Sequence, residues 1–432
     1  MVLTTISAAS FLVVFLADLF GLHTNPYIGI VFFLLLPGVF VFGLLLIPLG
    51  AWVERRRRAA GKAPSAAHWP RIDLNDPAQR TIAVIVFLLT IANVVVVSLG
   101  AYRGVEYMDS VQFCTQACHT PMKPESVAHE NGAHASVRCV ECHVGPGASS
   151  FARAKLSGTR RLLAVARGNY PRPIVASAEQ LLPARDTCEQ CHWPQQFHGD
   201  KVRRFVEYAD DEKNTESVTT VRVHVGGGDG RRGLATGIHW HMNVANEIEF
   251  TATDKERQQI PYVRMTDRQG VVREYLAAGA TPASIAAGTR HRMDCTDCHN
   301  RPSHAIAATA ERAVNEAIAE GSIPATLPFV HREAVKVLKA SYASADAAAA
   351  EVARALRAFY PAPQADVDRA VQSVQSIYRR SVFPEMNVRF GTYPNNIGHV
   401  DTPGCFRCHD DNHKTTDGRT IRQDCETCHT IE

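Results

Sequence analysis

The stretch 405–429, CFRCHDDNHKTTDGRTIRQDCETCH, holds two Cys-x-x-Cys-His units, Cys405/Cys408–His409 and Cys425/Cys428–His429. The unit recurs upstream at Cys139/Cys142–His143, Cys188/Cys191–His192 and Cys295/Cys298–His299. A longer form, CTQACH, stands at Cys114/Cys118–His119. The six pairs use up all 12 cysteines, and a histidine directly follows each second cysteine. Three chemistries use paired cysteines. In c-type haem attachment two thiols add across the porphyrin vinyl groups and the next histidine ligates iron. Zinc knuckles and disulfides also account for cysteine pairs, but neither gives a reason for the six histidines. The pattern therefore predicts six covalently bound haem c groups. Each is joined through the named cysteines and ligated by His119, His143, His192, His299, His409 or His429.

The remaining composition is ordinary: 432 residues, 46% hydrophobic, 21% charged, formal net charge +3. That balance does not argue for a nucleic-acid partner, and no basic tract with interleaved aromatics suggests one. The apolar residues are uneven. Segments 5–22, 27–53 and 81–102 are long aliphatic runs, and about 20 apolar residues suffice to cross a bilayer. Between the second and third runs lies a linker, 54–80, carrying Arg55, Arg56, Arg57, Arg58, Lys62, Arg71 and Arg80. The positive-inside rule places this linker in the cytoplasm and everything after about residue 103 in the periplasm. The expectation is a multi-pass protein of the bacterial inner membrane, with three N-terminal transmembrane helices in the lipid bilayer. A periplasmic, mainly α/irregular multihaem cytochrome c domain with a small β insertion follows.

Four regions result. Residues 1–102 form the anchor and 103–202 a haem domain with three motifs. Residues 203–294 are expected to be β-rich, because SVTTVRVHV, EIEFTATD, PYVRMT and VVREY read as short strands. Residues 295–432 carry the last three motifs around a spacer, whose Ala-rich segments 303–320, 329–342, 344–360 and 363–380 have helical periodicity.

Each iron also has a second axial position, and its occupant decides between electron carrier and small-molecule catalyst. The candidate distal ligands are His134, His239, His241, His304 and His399, with Met122 a candidate for the first haem. His198, His291 and His413 are secondary candidates, while His23 and His68 fall in the anchor and linker.

The stretch FCTQACHTPMKPES…GAHASVRCVECHVGPGASSF…KLSG…YPRP…LPARDTCEQCHWP resembles the NapC/NirT/NrfH family of membrane-anchored multihaem cytochromes over about residues 100–202. The tail, with GIHWHM, MDCTDCHNRPSH and GTYPNNIGH, resembles a branch of that family with more haems. The resemblance implies a quinol dehydrogenase that takes electrons from menaquinol or ubiquinol and feeds periplasmic cytochromes or reductases. It implies that Cys114, Cys118 and His119, with Met122, belong to the haem nearest the quinol, with either His119 or Met122 as iron ligand. It also implies His134 as a ligand, and Lys123, Glu125 and Glu130 are polar candidates for the quinol pocket. The chain departs from the family in its three expected anchors, its interruption before the fourth motif and its two additional motifs. Two other readings remain at this stage: an electron-relay subunit of a larger homo- or hetero-oligomer, and a terminal reductase with an open haem.

Overall fold

Apolar residues three and four positions apart build the helices between residues 310 and 381 in the computed structural model. The model describes residues 36–60, 73–145, 148–175, 183–193, 197, 199–226, 236–242, 247–361 and 365–432, together with Ser10. The chain divides into two compact units, Met1–His119 and Thr120–Glu432.

In the first unit, α1 spans Leu36–Ala59 and α2 spans Pro77–Met108. Asp76 caps α2 by accepting from the Ala78 amide at 2.9 Å, and Pro77 occupies the first turn, where a missing N–H costs nothing. Both helices leave large apolar side chains exposed, among them Phe42, Leu45, Phe87 and Leu88. Yet among the described residues no helix is long and apolar enough to cross a membrane. This corrects the expectation of three transmembrane helices. The second run is described only from Leu36, with Pro48 inside α1, and both helices carry charge at their ends: Arg55, Arg56 and Arg57 in α1, and Arg80, Arg103 and Glu106 in α2. Segment 5–22, apart from Ser10, and the start of the second run lie outside the described residues.

The second unit opens with α3, His119–Glu130, and α4, Ala148–Ala166. Its largest core lies where α5 (Ala310–Ala319), α6 (Val330–Lys339), α7 (Ala345–Phe359) and α8 (Ala365–Ser381) pack together. Val314, Val330, Val352 and Val374 are fully enclosed there. The side chain of Thr309 caps α5 by accepting from the Arg312 amide, and that of Ser344 caps α7 by accepting from the Ala347 amide, each at 3.1 Å. The helix expected from 303 thus begins only after Thr309, which leaves His304 on the preceding loop.

Two antiparallel sheets complete the unit. One has the order β1 (Asp200–Tyr208), β2 (Glu216–His224), β7 (His429–Ile431), with Asp200 opposite His224 and Val223 opposite His429. The other has the order β5 (Val272–Leu276), β4 (Tyr262–Thr266), β3 (Glu247–Ala252), β6 (Thr289–Arg292). Its strands bury Ile248, Phe250 and Val263. The pairing of β7 with β2 ties the sixth motif to the second strand after the third motif.

Candidate haem-binding site

A Cys-x-x-Cys unit wound as one helical turn brings its two sulfurs to the same side. That turn is present at Cys188, whose carbonyl accepts from the His192 amide at 2.8 Å, and at Cys295, whose carbonyl accepts from the His299 amide at 2.8 Å. At Cys405 the His409 amide closes it at 3.1 Å. The sequence around the fourth motif specifies this locally. Asp294 accepts from the Thr296 amide and Asp297 accepts from the Asp294 amide, both at 2.8 Å, which forms a capping box around Cys295–Cys298. The longer first motif is absorbed by a π-helix over Phe113–Ala117. Its wider turn takes up one extra residue, so Cys114 and Cys118 keep comparable positions on the turn.

The second unit brings each of its five attachment histidines to another histidine. The ring centroids are 6.1 Å apart for His143 and His304, 6.1 Å for His192 and His134, and 6.4 Å for His299 and His239. They are 5.7 Å apart for His409 and His241, and 6.0 Å for His429 and His399. Imidazoles on opposite faces of one metal, each nitrogen about 2 Å from it, have centroids roughly 6 Å apart. The five pairs fit two-sided ligation of an iron. Among the described residues no three His, Cys, Asp or Glu side chains converge on a metal position, which does not suit tetrahedral zinc, and all 12 cysteines are free of disulfides.

Hydrogen bonds hold these rings by the nitrogen a ligand does not use. His239 Nδ1 lies 3.0 Å from the Val225 carbonyl, His241 Nδ1 2.8 Å from that of Ile238, and His134 Nδ1 3.2 Å from that of Pro302. His409 Nδ1 lies 2.9 Å from the Arg422 carbonyl, and His304 Nδ1 3.1 Å from that of Glu125. Donation from Nδ1 fixes the tautomer with its lone pair on Nε2, the arrangement of metal-ligating histidines. Partial burial pushes the pKa of His239, His241 and His304 down, so these rings favour the neutral form that ligates, and His143 and His299 shift the same way although their side chains are exposed. His429 has a buried Nδ1 without a partner.

His239 and His241 share the single 3-10 turn Ile238–Met242, yet face the fourth and fifth motifs respectively. Gly226 and Gly237 close the base of this loop, both with positive φ. A Cβ on Gly237 would run into the His224 carbonyl, and one on Gly226 into that of Thr236.

Motifs two to six follow one another in space as in sequence. Cys142 is influenced by the charges of Cys188 and Cys191, and Cys188 interacts with Cys295. Cys298 interacts with Cys405, and Cys428 with Cys405. Arg407, inside the fifth motif, donates to the carbonyl of Asp297, inside the fourth, at 2.6 Å, and to that of Arg257 at 2.7 Å. Arg257 in turn pairs with the buried Asp297 carboxylate at 2.5 Å.

The other candidates are placed as follows. Met122 is half-buried on α3, and the His119 side chain lies outside the described set, as do His23, His68 and His198. Lys123 pairs with Glu385 at 3.0 Å, and Glu125 accepts two bonds from Arg301 at 3.0 and 3.1 Å. Glu130 is exposed and accepts from the Ser126 hydroxyl at 3.2 Å. His413 is buried with both nitrogens engaged, by Asp410 at 2.9 Å and the Ile260 carbonyl at 2.8 Å, and His291 lies against Phe250. His129, absent from the sequence candidates, lies 6.3 Å from His304, but its Nε2 is taken by the Val137 carbonyl at 2.9 Å. The bridging arginines Arg257, Arg301 and Arg407 were also unforeseen; only Arg407, between two motif cysteines, stood where a signal existed.

Cysteine pairs on single turns, each backed by opposed imidazoles, are the apparatus of a c-type cytochrome. Over 415 residues, 94% of this chain and 81% of the relative, the sequence is 41% identical to the cytochrome c-type protein ImcH of Geobacter sulfurreducens. The chain belongs to the family of that cytochrome c-type protein, and its work is electron transfer through covalently bound haem c. No family model matches the chain, so the likeness to NapC/NirT/NrfH cytochromes gains no support there. No solved structure matches it either.

Proposed function

We propose that the chain carries six haems c, oxidises a quinol, and passes the electrons one at a time along the row to a periplasmic cytochrome or reductase. The observation that carries this reading is that all five attachment histidines of the second unit face a second histidine at one ligation-length spacing. Bound haem supplies the one-electron redox couple. The cysteine pairs hold it at two points. His143 with His304, His192 with His134, His299 with His239, His409 with His241 and His429 with His399 would hold the iron of a bound haem. Two strong ligands leave no position for a small-molecule substrate, which suits a carrier and disfavours a terminal reductase.

Oxidising one quinol to quinone releases two protons and two electrons, and each electron reduces one ferric iron. The first motif, Cys114, Cys118 and His119 with Met122, is assigned as the entry, and the chain-order proximity of motifs two to six supplies the path onward. Ion pairs engage Lys123 and Glu125, and Glu130 is exposed, so of the three quinol-pocket candidates Glu130 is the one without an ion pair shown here. On this reading the protein works on the periplasmic side of a bacterial inner membrane, drawing on its menaquinol or ubiquinol pool, and covalent haem attachment supports it.

The test is anaerobic addition of a menaquinol or ubiquinol analogue to the purified ferric full-length protein. Appearance of the ferrous α-band without a partner is the expected result. Reduction by dithionite but not by quinol overturns the quinol step and makes the chain a relay for another subunit.

A further inference from the structure

The histidine pairs differ in a property that electron relay does not require: the angle between their ring planes. Taken from the second motif to the sixth, the angles are 37°, 77°, 5°, 83° and 28°. Pairs at low angles, 5° to 37°, and nearly perpendicular pairs, at 77° and 83°, alternate along the row. We infer that the ferric haems of the second unit form two electronic classes in alternation, low-angle at motifs two, four and six and near-perpendicular at motifs three and five. This rests on the ligand pairs proposed above.

The cause is orbital. In low-spin ferric iron the unpaired electron occupies one of two d orbitals that mix with the imidazole π systems. Parallel rings act on one of these orbitals and split the pair, which quenches orbital angular momentum. Perpendicular rings act on both alike, leave them almost degenerate and preserve that momentum, so the largest g value rises steeply. Axial-ligand arrangement is one of the protein's levers on haem electronics.

The ring orientations are built in by separate anchors. His239 and His241 leave the same short turn but fall in opposite classes. His239 bonds back to Val225 at the end of β2, whereas His241 bonds within its own turn to Ile238. Phe197 packs on His239 with centroids 4.7 Å apart, and Trp240 stands edge-on to His241 at 5.7 Å. In the other perpendicular pair, His134 is held from the Pro302 carbonyl. On the low-angle side, His399 stacks on Phe406 at 4.1 Å.

Low-temperature electron paramagnetic resonance of the fully oxidised, full-length protein tests the inference. Apart from the first motif's iron, the expected spectrum holds two strongly anisotropic low-spin signals and three ordinary rhombic ones. His241→Ala removes one strongly anisotropic signal and introduces a high-spin signal. His239→Ala removes one rhombic signal instead. If all five low-spin signals are rhombic, or if His241→Ala removes a rhombic one, the two-class inference fails while the ligand pairs stand. Predominantly high-spin iron in the unaltered protein overturns the ligand pairs themselves. Should either variant fail to fold, the two-to-three ratio in the unaltered protein still decides.

Discussion

The guanidinium of Arg407 donates to the main-chain carbonyl of Asp297 across 2.6 Å, joining the middle of the fifth motif to the middle of the fourth. Arg257 stands on the other side of the same residue, bound to its carboxylate. Burial drives the Asp297 carboxyl pKa up, and Arg257 opposes that shift. Removing Arg257 therefore leaves a carboxyl that is 2% exposed without its counter-charge. Arg257→Ala is expected to cost about 3–5 kcal/mol, as for other broken buried pairs. Denaturant unfolding followed by circular dichroism reads the loss; a change below about 1 kcal/mol would show that Asp297 is carried protonated without strain.

Glu125 bears on the second motif through His304. Its carboxylate oxygen is 3.2 Å from His304 Nδ1, and its carbonyl is 3.1 Å away. A carboxylate behind a ligating imidazole raises ligand basicity and favours ferric iron. Glu125→Gln is expected to raise the midpoint potential of one haem by about 60 mV for a tenfold change in the one-electron equilibrium. Spectroelectrochemical titration checks this, and a set of unchanged potentials removes Glu125 from the iron's surroundings.

Gly237 adopts φ +69° where the His239–His241 turn begins. Gly237→Ala meets both a left-handed backbone and the His224 carbonyl. The backbone conformation alone costs about 1–3 kcal/mol, and the contact adds to it. High-spin absorption from two haems at once is the expected signature, since this turn serves two motifs. An unchanged spectrum would show that the turn tolerates the shift.

Acid acts on the same ligands. His143, His239, His241, His299 and His304 have pKa values held below the ordinary 6.5. The unfolded chain then binds protons that the folded chain refuses. The contribution to stability is complete above about pH 6.5 and is lost as pH falls through the lower folded values. Melting temperature should fall as pH drops below about 6.5, since iron ligation also holds these rings neutral. A melting temperature that rises on acidification contradicts the assignment.

The helical core should be separable from the redox row. Ile323 is fully buried among α5 to α8. Ile323→Ala is expected to cost about 2–5 kcal/mol while leaving the visible spectrum of the folded protein unchanged. A spectral shift on substitution would show that this core positions ligands.

The motifs were legible because covalent chemistry demands a fixed local spacing. Strands at 216–224, 247–252, 262–266 and 272–276 fall on segments whose alternation announces them, since half-buried strands have a period of two. The helix starting at Ala310 rather than 303 is explained by the cap at Thr309, a signal present but outweighed by the Ala-rich run. The last strand, His429–Ile431, was not announced: three residues carry no periodicity, and their partner lies on β2. Long apolar runs suggest bilayer spans because hydropathy measures reluctance to stay in water, which a buried or partner-covered helix shares. Which histidine faces which motif is a long-range relation, and no local spacing encodes it. The π-helix at Phe113–Ala117 shows the reverse, where one surplus residue in CTQACH is itself the signal.

The separation of His143 from His304 along the chain bears on assembly. Synthesis runs from the N-terminus, so Cys139 and Cys142 are made well before His304. His134, by contrast, is ready before Cys188 and Cys191 arrive. Maturation must therefore proceed unevenly, with some sites closed as they form and others waiting one-sided for a distant part of the polypeptide, exposed meanwhile to any stray base or oxidant.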